Sequence, residues 1–467
     1  MFSWLEAALA QLNAWVFASI PIAGVDVTLV VIWLAIPMLV FTLWLGFINI
    51  RGFGEGIRAV SGRNAETGAP GTISQFGALT TALSGTVGLG NIAGVAVAIS
   101  TGGPGAAFWM FVIGFFAMTV KCVEVTLGHK YRTIDPDGTI RGGPMYSLKN
   151  GLAARGRPRL GLVLGGIYAF FATAGALSLV QVNQSYAQVA NVSGIDSPVA
   201  YGIALAFLVG LVVIGGVVWL ARVTEFLVPG MAVAYLVGVF AIIFANFGEL
   251  PGALWLIVSS AFSGNAAAGG MLGVFVVGMQ RAVYSSEAGV GSAVIAHAQA
   301  KTYEPASEGL VALLEPFIDT VIICSLGAIA IVLAGTYQGG ATDIEITSQA
   351  FAQVAPWMPV LLAVAVFLFA YSTLCSWGFY GLQAWGYLVG EGPKRDAVYK
   401  AFYILTIPFG TILSVEAVFN LVDSAFFLMA IPNVLAIYIF GSEVRRDLLD
   451  YHARARAGRR KAKEATQ

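Results

Sequence analysis

Two polar, glycine-rich stretches interrupt segments that are otherwise apolar. The first runs from Thr80 to Asn91 and holds three glycines within six residues, Gly85, Gly88 and Gly90. Glycine costs about 1 kcal/mol relative to alanine inside a helix, so this run predicts a break in a membrane-spanning helix. Backbone that leaves a helix at membrane depth has no water to bond, and it must line a cavity or bind a ligand. The stretch therefore predicts a binding site inside the membrane.

A second stretch of this kind lies about two hundred residues later, from Gly278 to Ser292. Its residues 289–292, Gly-Val-Gly-Ser, repeat the pattern Gly-Leu-Gly-Asn of residues 88–91. Two interrupted segments in corresponding halves of a chain are typical of secondary transporters. Close helix packing is the alternative role for the glycines, but it does not explain Arg281 and Glu287 in the same segment.

The composition places the chain in a membrane. Of 467 residues, 58% are hydrophobic and 11% are charged, against about 25% charged in soluble domains. The apolar runs are near-continuous and around 20 residues long, which favours spanning helices over a β-barrel. The three cysteines and three histidines are scattered, so we expect neither a disulfide framework nor a metal cluster. We expect no enzyme, because the sequence shows neither a cluster of histidine, cysteine and carboxylate nor a phosphate-binding loop.

The apolar runs predict an all-α integral membrane protein with about eleven transmembrane helices. One extra N-terminal helix precedes two groups of five, and each group begins with an interrupted helix. Because five is odd, the two groups have opposite orientation, which makes an inverted repeat. The expected spans are 27–48, 73–100, 105–127, 160–189, 199–220, 226–247, 270–300, 309–335, 357–389, 397–415 and 417–440.

These spans divide the chain into four parts. Residues 1–50 hold an interfacial amphipathic segment and the extra helix, and residues 51–248 form the first repeat. Residues 249–440 form the second repeat, and residues 441–467 are a basic tail. Within the second repeat, we expect a surface helix at 249–268 and a short lid helix at 342–355.

The basic residues of the loops fix an orientation. With the N-terminus outside, the external segments 1–26, 101–104, 190–198, 248–269 and 336–356 hold no lysine or arginine. Since cytoplasmic loops carry an excess of these residues, the C-terminus is predicted to be cytoplasmic. The location is then a plasma membrane, most simply a bacterial inner membrane. The run from Arg454 to Lys463 is interpreted as a solvated tail near anionic lipid.

Four strings of this sequence resemble the alanine/glycine:cation symporter family. They are GTVGLGNIAG at residues 85–94, GGPGAAFWM at 102–110, GGPMY at 142–146 and SSEAGVGSA at 285–293. The first also resembles the first broken helix of sodium-coupled neurotransmitter-type symporters, which share the leucine-transporter-like fold. The chain departs from the family at Leu89, Tyr284 and Ser286, where threonine, phenylalanine and asparagine are usual. All three departures fall in the predicted site.

The resemblance implies sodium-coupled symport of a small neutral amino acid, alanine or glycine, into the cell by alternating access. Sodium is then the coupling ion, and no other cofactor is expected. The partners are the amino acid, sodium and the lipid bilayer, with no nucleic acid and the oligomeric state left open. Gln181 resembles the family's substrate-contacting position. The carbonyls of Ser84 and Val87 and the hydroxyls of Ser372 and Thr373 resemble the sodium site of this fold.

An amino acid presents a carboxylate and an ammonium group to a largely dry cavity. Amides at a half-helix N-terminus suit the carboxylate, and one such half begins near Leu89. Unwound carbonyls suit the ammonium group. Trp377, one turn from Thr373, is expected to cap the side-chain space, unless its ring only packs or faces lipid. Thr86 and Asn91 also suit a second ion, unless Thr86 bonds its own helix. The predicted substrate residues are Thr86, Leu89, Gly90, Asn91, Gln181, Tyr284, Ser285, Ser286, Thr373 and Trp377.

Several ionisable residues lie inside the predicted spans. Lys121 and Glu124 are three residues apart near an inner helix end, and we interpret them as a local pair with the lysine reaching toward water. Arg281, Glu287 and Asp319 lie deeper, where such groups are functional candidates by default. They either hold helices together and gate the site, or bind the substrate or a proton directly.

Three other functions are alternatives to sodium-coupled symport. A proton-coupled symporter of the same fold would carry its proton on Glu287 or Asp319. A membrane-embedded enzyme finds no support among the residues. A sensor that binds an amino acid without transporting it would need the same site.

The topology is testable by labelling. We expect a single cysteine at Asp343→Cys to react with an impermeant thiol reagent applied outside intact cells, and one at Arg454→Cys to react only after the membrane is opened. Each change is made in a background without the three native cysteines. Reaction of Arg454→Cys in intact cells would overturn the eleven-helix topology.

Overall fold

The computed structural model describes residues 3–22, 24–63, 66–194, 196–263, 270–341, 343–413 and 415–464. Helices dominate these ranges, which confirms the prediction of a mainly helical protein. The strands in the described ranges form two short hairpins. They are Ser19–Ile22 with Val25–Thr28 (β1, β2) and Thr133–Ile134 with Ile140–Arg141 (β3, β4).

The chain begins with four helices that precede the first interrupted segment. The first lies where the amphipathic pattern is. The second is shorter than the predicted span 27–48, because β2 includes residues 27 and 28 and the helix ends at Trp44. Their bounds are Ser3–Val16 (α1), Leu29–Trp44 (α2), Ile48–Arg51 (α3) and Phe53–Val60 (α4).

The first interrupted segment consists of two helices, Gln75–Thr86 (α5) and Leu89–Gly102 (α6), which are bent by 44°. The Ser74 hydroxyl caps α5 by accepting a hydrogen bond from the Gly77 amide at 2.9 Å. Val87 and Gly88 have extended backbone between the two helices. The break predicted from the glycines is therefore present.

The next part of the chain differs from the predicted spans in two places. The expected span 160–189 is divided before Leu179, where Ser178 has the left-handed φ of 47°. The expected turn at 221–225 is helical, and the backbone instead leaves helical geometry at Gly216, with φ 75°. The helices are Gly105–Lys130 (α7), Pro144–Ala154 (α8), Pro158–Gly175 (α9), Leu179–Ser193 (α10) and Pro198–Ala245 (α11).

The second interrupted segment consists of Gly270–Ser286 (α13) and Ala293–His297 (α14). It follows the helix Leu250–Ser263 (α12). Gly289 and Gly291 have φ of 88° and 84°, a conformation that glycine adopts without strain. Glu287 has φ 50° in the same interruption. Both predicted breaks are thus present, while the rest of the expected surface helix, 264–268, lies outside the described residues.

The remaining helices follow the predicted order. A wide-turn π-helix at Phe317–Cys324 divides the expected span 309–335. The lid helix begins at Ile344, and residue 342 of its expected range lies outside the described residues. The bounds are Pro305–Ala312 (α15), Leu314–Pro316 (α16), Ser325–Ala334 (α17), Ile344–Val354 (α18), Met358–Val389 (α19), Pro393–Thr406 (α20) and Val415–Glu464 (α21).

Within the described ranges, six helical segments are long and apolar enough to cross a membrane, and the bent pair of α5 and α6 adds a seventh. The chain is therefore a multi-pass membrane protein. The count of eleven, the inverted repeat, the division into four parts and the side on which each terminus lies stay predictions.

Helix α19 is central and packs against α5, α9, α10 and α11, while α7 packs against α2, α13 and α15. Large aromatic side chains fill the spaces between them, and Tyr168, Tyr380 and Tyr403 are fully buried. Other large apolar side chains, such as Phe207 and Phe226, lie exposed on the outside. Lipid tails are as apolar as these side chains, so such an outer face suits a bilayer.

Candidate substrate and ion site

A cavity of about 500 Å³ lies between the two interrupted segments. Helices α6, α10, α13, α19 and α21 contribute to its wall, and Asn13 and Asp343 lie at its rim on the predicted external side. The cavity brings together eight residues that the sequence predicted. They are Thr86, Leu89, Gly90, Gln181, Arg281, Tyr284, Glu287 and Trp377.

The first turn of α6 faces the cavity. The Leu89 amide donates to Gln181 Oε1 at 3.1 Å, and the Gly88 amide donates to Asn91 Oδ1 at 3.0 Å. A Cβ at Gly90 would meet no atom within 4 Å, so the helix start is open at this residue. Amides in a first turn have no partner within their own helix and carry the positive end of its dipole. This end of α6 therefore suits a carboxylate.

Trp377 forms part of the wall beside the break. Its indole N–H donates to the Gly85 carbonyl at 3.2 Å, and its ring is 4% exposed. The ring contacts Tyr380 and Phe426 at centroid distances of 5.5 and 6.3 Å. It is thus a packed ring that also lines the cavity, and it does not face lipid.

On the opposite wall, Tyr284 belongs to an aromatic and charged group. Its ring stacks on Phe426 at 5.8 Å, and the Arg281 guanidinium lies 5.8 Å from its ring centroid. The Tyr284 hydroxyl bonds the Asp423 carboxyl, which also lines the cavity. Asp423 and Phe426 are cavity residues that the sequence motifs do not predict. A carboxylate inside the apolar run 417–440 is the one sequence signal by which Asp423 could have been found.

Several predicted site residues lie behind this wall. Asn91 Nδ2 donates to Ser285 Oγ at 2.9 Å and to the Asp319 carbonyl at 3.4 Å. Ser285 Oγ lies 2.9 Å from Thr320 Oγ1, and that hydroxyl donates to the Asp319 carboxylate. All of these groups are buried, and they tie α6 to α13 and to the π-helix. Ser286 is also buried, and its hydroxyl accepts from the Ala288 amide at 3.4 Å.

The residues predicted for sodium lie where α5 meets α19. Ser84 Oγ donates to the Ser372 carbonyl at 2.8 Å, and Ser372 Oγ donates to the Phe369 carbonyl at 3.0 Å. Thr373 Oγ1 is buried and has no hydrogen-bond partner among the described residues. A Cβ at Gly88 would lie 3.1 Å from that oxygen, so the hydroxyl faces the break directly. A free oxygen beside unwound carbonyls fits a sodium ion.

The hydroxyl proton of Thr86 is engaged within its own helix. The hydroxyl donates to the carbonyl of Ala82 at 3.2 Å, which is the alternative that the sequence left open. Thr86 therefore has no free hydroxyl proton for a ligand in this conformation.

Buried charged side chains hold the second interruption in place. Lys121 Nζ donates to the Glu287 carbonyl at 3.3 Å and pairs with Glu124 at 3.4 Å and Glu315 at 3.8 Å. The expected Lys121–Glu124 pair is present, but Lys121 is fully buried and does not reach water. Breaking such a buried pair by removing one partner costs about 3–5 kcal/mol, because the other charge stays buried.

Neighbouring helices hold the same interruption from two further sides. The Glu124 carboxylate accepts from the Gly289 amide at 3.0 Å and from Asn433 Nδ2 at 2.9 Å. Asn433 Nδ2 also donates to the Gly289 carbonyl at 2.9 Å. Glu287 lines the cavity, and its carboxylate accepts from the Ser292 hydroxyl at 2.5 Å. Glu287 is thus the acidic residue of this interruption that lines the cavity.

Comparison with known proteins gives a consistent result. The sodium:alanine symporter family matches residues 11–465. The sodium/alanine symporter AgcS of Methanococcus maripaludis is 37% identical over 86% of this chain and 89% of its own length. The probable sodium/glutamine symporter GlnT of Bacillus subtilis is 34% identical, covering 90% and 87%. The putative sodium/proton-dependent alanine carrier protein YrbD of the same organism is 34% identical, covering 90% and 88%.

Proposed function

This chain belongs to the sodium:alanine symporter family, and we propose that it carries a small neutral amino acid, alanine or glycine, into the cell together with sodium. The observation that carries the proposal is the Thr373 hydroxyl. It is buried at the break between α5 and α6 and has no partner within the described chain. Because the family consists of transporters, the enzyme alternative is dropped.

The amino acid would lie between the two interruptions. The open first turn of α6 at Gly90 and the amide side chain of Gln181 supply donors for its carboxylate. Its ammonium group would lie near Glu287 and the unwound carbonyls after Tyr284. Trp377 then limits the space for the side chain. A substrate with a small side chain suits this arrangement, because the indole is fixed by its bond to Gly85.

Sodium would lie between the carbonyls of Ser84 and Val87 and the hydroxyl of Thr373. The Ser372 hydroxyl is the fourth proposed oxygen ligand, and the Ser372 carbonyl accepts from Ser84 Oγ, which aligns α5 with α19. The ion and the amino acid then occupy neighbouring parts of one helix break. Each should raise the affinity for the other by the same factor, which is the basis of coupled transport.

A proton-coupled symporter is the second candidate. Glu287 lines the cavity, and one relative is named as a sodium/proton-dependent carrier. Asp319 is less suited to this role, because it lies behind the wall in the group around Asn91. The two candidates differ in the residue that carries the ion, so one set of variants separates them.

We expect Thr373→Val to raise the sodium concentration for half-maximal alanine uptake at least about tenfold, since it removes one oxygen ligand and keeps the β-branched shape. Uptake at saturating sodium should largely recover. The measurement is sodium-driven uptake of labelled alanine and glycine into proteoliposomes. Thr42→Val is the matched control, because Thr42 is a buried threonine in α2 that bonds the Phe116 carbonyl away from the site.

Variants of the two carboxylates, Glu287 and Asp319, test the proton-coupled alternative in the same assay. Glu287→Gln and Asp319→Asn should keep the sodium dependence, even where they slow transport. If a pH gradient drives uptake without sodium and either change abolishes that uptake, the coupling ion is the proton and not sodium. Saturable binding with no uptake under any gradient would instead identify a sensor.

A second prediction concerns the size of the substrate. If Trp377 limits the side-chain space, Trp377→Ala should let leucine compete with labelled alanine at concentrations where the parent protein ignores it. Trp385→Ala is the control, since Trp385 lies two turns later on α19 and bonds the Arg395 carbonyl instead. Competition profiles that stay the same in both variants would place the indole outside the substrate space.

A further inference from the structure

The inner ends of the two interrupted segments are joined to each other. Residues 66–75 lead into α5, residues 298–304 lead out of α14, and Ile73 pairs with Ala300 as a parallel β-bridge. The Thr72 amide donates to the Gln299 carbonyl at 2.8 Å, and the Lys301 amide donates to the Ile73 carbonyl at 2.9 Å. We call these two stretches the inner seam. They lie on the face that carries the lysine- and arginine-rich loops.

One arginine binds both sides of the inner seam. Arg132 follows α7, and its Nη1 donates to the carbonyls of Ala298 at 2.6 Å and Ala300 at 2.8 Å. Its Nη2 donates to the carbonyls of Pro70 at 2.7 Å and Thr302 at 3.3 Å. A planar guanidinium can reach four acceptors in this way, whereas a lysine ammonium has three donors at one point.

The charge of Arg132 is met by carbonyl oxygens, with no carboxylate in direct contact among the described residues. Burial lowers the pKa of Arg132 to about 10, which leaves the side chain charged at neutral pH. Water can replace carbonyl acceptors at modest net cost. These bonds therefore hold the inner seam and can still be exchanged when it separates.

The packing inside the inner seam leaves no room for a passage. A Cβ at Gly71 would lie 2.6 Å from the Ala300 carbonyl oxygen, and a Cβ at Gly142 would lie 2.0 Å from the Ala298 side chain. The side chains of Thr72 and Gln299 bond each other at 2.9 Å. Backbone thus meets backbone directly between the two stretches.

This position matters for transport. The cavity ends at the breaks of α5 and α13, and the inner seam lies at the far ends of α5 and α14. A substrate that leaves the cavity toward the inner face between these helices has to pass the inner seam. We propose that the inner seam is the inner gate and that Arg132 is the positioning residue that keeps it closed. The inference rests on the proposed transport by alternating access.

A reversible cross-link tests the gate in one protein. Thr72→Cys and Gln299→Cys are introduced together in a background without Cys122, Cys324 and Cys375. Oxidation should lower alanine counterflow in proteoliposomes on the order of tenfold or more, while sodium-dependent alanine binding persists. Reduction should restore counterflow. The control pair is Thr133→Cys with Asn150→Cys, whose side chains touch at 3.0 Å on one loop and its adjoining helix.

The role of Arg132 has its own readout. Arg132→Lys should speed labelling of a reporter, Ala78→Cys, by an impermeant reagent applied to the inner face, on the order of tenfold. Ala78 is buried beside Ile73 and Ala300, just behind the inner seam. Arg155→Lys is the matched control, because Arg155 lies on the same face and donates to the Ile439 carbonyl outside the inner seam.

The outcomes separate the two proposals. Parent protein without counterflow would refute symport itself. Counterflow that continues at full rate in the oxidised Thr72–Gln299 pair would refute the gate alone, and the same protein after reduction controls for folding. Labelling of Ala78→Cys that is unchanged in Arg132→Lys, or equally raised in Arg155→Lys, would remove Arg132 from the gate.

Discussion

The structure depends on how backbone that leaves a helix inside the membrane is satisfied. No water is available there, and each unsatisfied polar group costs several kcal/mol. At the first interruption, the side-chain oxygen of Gln181 accepts a hydrogen bond from the Leu89 amide, and that of Asn91 accepts one from the Gly88 amide. At the second, Glu124 and Asn433 bond both polar groups of Gly289. The Thr373 hydroxyl, one of several buried polar groups without a partner among the described residues, faces the first break.

Further bonds connect the two interruptions to each other. Asn91 in α6 bonds Ser285 in α13. The parallel bridge at Ile73 and Ala300 joins the inner ends of the same two segments. In the proposed transport cycle, a ligand that changes the geometry of one break would therefore act on the other break and on the inner seam. This connection would give the proposed alternating access a physical route, because discrete packed elements move between a few arrangements.

Much of this could be predicted from local sequence. Glycine spacing located both breaks, and the apolar runs established a multi-pass helical membrane protein. The predictions failed where tertiary contacts decide the backbone. The left-handed Ser178 and the π-helix at Phe317–Cys324 have no strong local signal, whereas the kink at Gly216 lies in a glycine pair that the predicted spans did not use.

The site shows the same division between local and distant information. Leu89, Gln181 and Trp377 lie at the cavity as their motifs suggested, while Asn91 and Ser285 lie behind its wall. Asp423 bonds Tyr284 and Arg132 bonds Ala298, and both of these partners are more than a hundred residues away in the chain. Only the folded chain brings such groups together. A single sequence therefore indicates which residue types are candidates, but it does not predict which residues they contact.

The central claim is that sodium and the amino acid share one helix break, and binding linkage tests it most directly. Alanine affinity is measured by calorimetry in detergent with saturating sodium and with choline in its place, and sodium affinity is measured with and without saturating alanine. The account predicts that both affinities rise, by the same factor. Alanine binding that is equally tight in choline would contradict it.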